Sequence, residues 1–63
     1  MKKITIDDVR RYENRMVEVK RNGFKAYDFK SLGRELQSEF PYLTIQEVVS
    51  ILNGDSDKIL KLL

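Results

Sequence analysis

The sequence predicts an all-α fold, a small bundle of three to four helices, on three observations. Apolar residues recur at steps of three and four along most of the chain. Cap and stop signals divide that pattern into segments at about 6–21, 29–40, 45–53 and 56–63. The connections left over, near 23–27, 41–43 and 53–55, are short, so residues 1–63 read as one helical domain without linker, repeat or low-complexity tract.

Thr5, with Asp8 three residues on, resembles a capping box and opens the first helix. Ile6, Val9, Tyr12, Met16 and Val19 then fall on one face, and Asn22-Gly23 closes the segment. With Gly23 in the left-handed conformation, Val19 and Phe24 occupy the paired apolar positions of a Schellman motif. Residues 17–27 also fit a hairpin around the Asn22-Gly23 turn. That pairing splits the apolar side chains, with Val17, Val19 and Phe24 on one face and Met16, Tyr27 and Phe29 on the other, so the helix is the preferred reading.

In the second helix Asp28 is the expected N-cap, with Tyr27 and Leu32 at the hydrophobic-staple positions. Phe29, Leu32, Gly33, Leu36 and Phe40 form its apolar stripe, and Pro41 ends it. Gly33 in that stripe costs about 1 kcal/mol against Ala, which close approach of another helix would explain. The third helix has a Thr44/Glu47 capping box and a Leu43/Val48 staple. Its buried stripe is Val48, Val49, Ile51 and Leu52, and Asn53-Gly54 stops it. Asp55 or Ser56 caps a last helix containing Ile59, Leu60, Leu62 and Leu63.

A chain of 63 residues buries only about 60% of the surface its unfolded form exposes. With neither Cys nor His, it has no disulfide and none of the common zinc sites to reinforce it. Dense helix packing, a partner chain or both must do so. The same absence excludes thiol and Ser-His-Asp chemistry. At 35% charged residues and a mean hydropathy of −0.47, no apolar run approaches the ~20 residues of a membrane span. The opening Met1-Lys2-Lys3 starts like a signal peptide, but Asp7 and Asp8 arrive before any apolar core, so the cytoplasm is the expected location and no membrane partner is expected.

Catalytic constellations are not expected. Gly23, Gly33 and Gly54 stand far apart and form no phosphate loop. The pairs Asp7/Asp8 and Asp55/Asp57 sit at helix starts, where negative charge complements the dipole. Asp55-Ser56-Asp57 lacks the remaining ligands of a calcium loop, and the Ser hydroxyls have no His to activate them. The expectation is a protein without enzymatic activity, cofactor or metal.

Charge is divided unevenly: residues 1–34 hold ten Lys or Arg against five acids, and residues 35–63 hold two against five. Such a division suits a nucleic-acid face or head-to-tail self-association. Arg10, Arg11, Arg15 and Arg21 give the first helix a basic surface fit for phosphates, the basis of a nucleic-acid-binding alternative. In addition, Leu43-Thr44-Ile45-Gln46-Glu47-Val48-Val49-Ser50-Ile51-Leu52 resembles the opening of excisionase-like and resolvase-like helix-turn-helix domains. That resemblance implies residues 55–63 as the groove-reading helix; here it starts with two acids and offers no Arg, Asn or Gln.

Residues 29–63 also resemble the UBA-like three-helix fold, in particular its CUE branch. The likeness rests on Glu39-Phe40-Pro41, then Leu43, Val48, Ile51-Leu52, Gly54-Asp55, Ile59 and Leu62-Leu63 in that order. Carried over, it implies that Phe40, Pro41, Leu62 and Leu63 form an exposed apolar patch of the kind that family uses to bind ubiquitin. Glu39 stands where the family has Met, and core is the preferred reading of Phe40, Leu62 and Leu63 from the residues themselves. The function expected is a small interaction or regulatory module, of the kind phages and mobile elements carry, that binds a protein partner or forms a homodimer. A helix-turn-helix-like nucleic-acid-binding regulator is the alternative.

Overall fold

Thr5 and Thr44 carry the two capping boxes, and both are formed. In the computed structural model, which describes residues 2–63, each threonine hydroxyl accepts the backbone N–H three residues on, and Asp8 and Glu47 accept the backbone N–H of Thr5 and Thr44 in return. The helices they open are α1 (Ile6–Arg21) and α3 (Ile45–Asn53); α2 (Ala26–Glu39) lies between them and α4 (Ser56–Leu62) follows. No strand occurs among the described residues.

The α1–α2 connection is a Schellman turn, not a hairpin. The Phe24 amide donates to the Val19 carbonyl at 2.9 Å and the Gly23 amide to Lys20 at 3.2 Å, with Gly23 at φ 94°. The same motif closes α3, where Asp55 donates to Ser50, Gly54 donates to Ile51, and Gly54 lies at φ 71°. Asp55 then caps α4 through the Lys58 amide.

The α2 start differs from the sequence reading. The helix begins at Ala26 behind Lys25, so Asp28 is inside the first turn and not the N-cap. Its carboxylate there faces the positive end of the helix dipole, which serves the same electrostatic purpose without a cap hydrogen bond. Tyr27 is exposed and forms no staple with Leu32. In α1, Ile6 is half-exposed, and its expected place in the core is taken by Ile4. Ile4 immediately precedes the cap and Val9 stands four residues inside it, the staple positions, and both are buried.

The core gathers Val9, Tyr12, Met16 and Val19 of α1, Leu32 and Leu36 of α2, and Val48, Ile51 and Leu52 of α3. Phe40, Leu43 and Ile59 complete it from the α2–α3 turn and α4. Helices α1, α2 and α3 pack pairwise, whereas α4 packs on α3 alone. The radius of gyration, 11.0 Å, matches the ~11 Å expected of a compact chain of this length. Among the described residues no helix is long and apolar enough to cross a membrane, and no buried side-chain polar atom lacks a hydrogen-bond partner.

Candidate functional site

Phe40 is the last apolar position of the α2 stripe, one turn beyond Leu36, and that register turns its ring inward. It is fully buried, with Tyr42 edge-on at 6.4 Å between ring centroids and the Lys2 ammonium 5.7 Å from the ring centre. The expectation that Phe40 contributes to an exposed patch is therefore corrected: its ring is core. Pro41 is exposed, Leu62 is half-buried against the core and Leu63 is exposed. Moreover α2 and α4, whose ends carry these residues, do not pack on each other.

The four arginines singled out on α1 are mostly engaged within the molecule. Arg11 Nη2 donates to both carboxylate oxygens of Glu39 at 2.6 and 2.9 Å, and to Asp8 at 3.3 Å. Arg15 pairs with Glu35 at 2.6 Å and Arg21 with Glu18 at 3.4 Å. Only Arg10 of the four has no such partner among the described residues. Arg11 and Arg15 thus clasp α1 to the acidic residues of α2.

Ionisation follows from these contacts. The hydrogen bond from Arg11 holds the Glu39 carboxyl below its usual range, against the opposing effect of partial burial. Burial pushes Asp8 up, but the Thr5 amide and hydroxyl, with the Lys2 and Arg11 charges, outweigh it and leave the pKa lowered. Tyr12 is pushed up to about 12, first by burial and then by donating to Glu39 at 3.0 Å. This cluster is a structural clasp between α1 and α2, with Arg11 still half-exposed.

Ile6, Val17 and Leu60 are exposed singly on other faces, whereas an open apolar groove lies between α2 and α3. Gly33, exposed enough to be reached by solvent, forms the floor of an open groove of about 190 Å³. A Cβ built on Gly33 would stand 3.6 Å from Val48 Cγ1 and 3.7 Å from Leu52 Cδ1, so α3 does approach here as the sequence suggested, but only to ordinary contact distance. Phe29 closes one end and Gln37 lines the α2 side toward the other. On the α3 side Ile45 and Val49, one turn apart, make a ridge along the groove, and Ile45 is 72% exposed. Phe24 extends the apolar surface beyond Phe29, its ring centroid 5.8 Å away.

Lys30 and Arg34, also one turn apart, stand on the α2 wall of this groove, and no acidic side chain lines it. Neither cation has a carboxylate partner among the described residues. The sequence reading missed this site because it put Val49 in the buried stripe of α3 and gave Ile45 no role, whereas Val49 is only partly buried and lines the groove. The available signal was Ile45: with Val49 it adds a second apolar arc to α3, beside the one that Val48, Ile51 and Leu52 already fill.

An apolar groove with two cations at its edge has the make-up of a binding surface. No family model matches this sequence, and no curated protein or solved structure is significantly similar to it.

Proposed function

We propose that this chain is a non-catalytic protein-interaction module that docks a protein, or a second copy of itself, on the α2–α3 face. The observation that carries the reading is Ile45, 72% exposed at the rim of an apolar groove that the chain's own helices leave open. Covering water-exposed aliphatic surface contributes roughly 25 cal/mol for each Å² removed from water, against which the lost freedom of the partners is set. The nucleic-acid alternative has less to support it, since three of its four arginines are held by carboxylates.

The test is association measured on the wild type and on Ile45→Lys, by light scattering over a range of concentrations and by amide NMR shifts with added partner. Loss of association in Ile45→Lys with helicity retained supports the reading. Association that survives the substitution, or salt-sensitive binding of random duplex at ~50 mM salt with no protein association, overturns it.

A further inference from the structure

We infer that the groove between α2 and α3 receives an amphipathic helix of a partner protein that carries carboxylates along one flank. This deepens the docking reading above and rests on it. The shape comes from the walls. From Phe29 to Gln37 the α2 wall runs about 12 Å at 1.5 Å per residue, the rise of roughly two helical turns. A helix laid along it presents apolar side chains at i, i+3 or i+4, and i+7, over a floor where Gly33 has no side chain.

The charge comes from Lys30 and Arg34. They are spaced i, i+4 on the same wall, they are exposed and, among the described residues, without a carboxylate partner, and no acid among those residues lines the groove to repel an incoming carboxylate. Arg11, Arg15 and Arg21 are drawn into ion pairs with Glu39, Glu35 and Glu18. Lys3, Arg10, Lys20, Lys25 and Lys61 share with Lys30 and Arg34 the lack of a carboxylate partner among the described residues; Lys30 and Arg34 differ in lining the apolar groove. A flank of Asp or Glu, itself spaced i, i+4, matches this pair, whereas a basic flank would meet like charge.

Phe24 supplies an independent observation. It is the only non-glycine at positive φ among the described residues, at 53°, a conformation that costs an aromatic residue stability. That backbone places a half-exposed ring against Phe29, continuous with the groove, where an arriving helix would cover it.

The experiment selects randomised amphipathic helices of about 15 residues by display against the full chain, then titrates recovered peptides by amide NMR. The expected peptides carry Asp or Glu beside the apolar stripe and shift the Phe29, Gly33, Ile45 and Val49 amides. They should bind about tenfold more weakly to Arg34→Glu, an exposed and unpaired position where the fold is undisturbed. Their Lys-flanked versions should lose affinity for the wild type and recover it against Arg34→Glu. Phe24→Asn, which accepts the left-handed backbone, should weaken binding with helicity unchanged.

Peptides that shift the same amides but are neutral or basic overturn the acidic partner and leave the docking reading standing. So does self-association at these amides, which makes a second copy the occupant. No enriched peptide and no self-association, or shifts confined to another face, overturn both.

Discussion

Glu39, in the last turn of α2, accepts hydrogen bonds from two consecutive side chains of α1: Arg11 through both oxygens, and the Tyr12 hydroxyl at 3.0 Å. The pair joins the second turn of α1 to the end of α2, so the α1–α2 packing is tied to an ionised carboxylate. Because the Glu39 and Asp8 pKa values are lowered in the fold, their contribution to stability is complete above the unfolded values and is lost as pH falls through the folded ones. Chemical denaturation between about pH 6 and 2 should show the urea midpoint falling below about pH 4.5, with a shallower fall in Glu39→Gln. An equal slope in the variant would remove Glu39 from the clasp.

The alkaline side carries the opposite sign. Tyr12 is protonated in the fold up to about 12, against 10.0 when unperturbed. A group with a raised folded pKa contributes its stability below the unfolded value, and the contribution disappears as pH rises from about 10 to 12. Tyr12→Phe should therefore lower the midpoint at neutral pH and flatten its decline in this window. Spectrophotometric titration of the wild type should show a phenol component at about 12 that Tyr12→Phe removes.

Two glycines should respond to alanine with opposite signs. Gly33 has helical backbone and space for a methyl at 3.6 Å from Val48, so Gly33→Ala should stabilise by up to about 1 kcal/mol through helix propensity. Gly23 has open space around it but lies at φ 94°, so Gly23→Ala should destabilise by about 1 kcal/mol, from the left-handed backbone alone. Thermal midpoints of the two single variants decide this, and destabilisation by Gly33→Ala would mean that α3 cannot yield even the little the methyl asks.

These residues also show what the sequence makes legible. The capping boxes at Thr5 and Thr44 and the Schellman turn at Gly23 are local chemistry, written within three to six residues, and all three form. The start of α2 was misplaced because Asp28 is equally favourable at the cap and in the first turn. Ile4 and Ile6 flank one cap, and the staple of Ile4 with Val9 is local chemistry that favours Ile4 as the buried one; its amide also donates to the Tyr42 hydroxyl at 2.7 Å. The groove was hidden for a tertiary reason: whether an apolar arc such as Ile45–Val49 is core or surface depends on which helix arrives beside it, and α4 packs on α3 without covering it.

Phe40 and Ile45 are both large apolar residues within five positions of the α2–α3 turn, and substitution should separate fold from binding. Phe40 is fully buried, so Phe40→Ala should cost about 3–5 kcal/mol, a large share of the stability of a domain this small. Phe40→Asp, which also buries an unpaired charge, should abolish the far-UV helical signal and any association with it. Ile45 already faces water, so Ile45→Lys should change stability by no more than about 0.5 kcal/mol while removing the aliphatic rim of the groove. Circular dichroism and urea midpoints for the three variants check the contrast. A Phe40→Asp protein that remains helical would place that ring at the surface, and an unfolded Ile45→Lys protein would place Ile45 in the core.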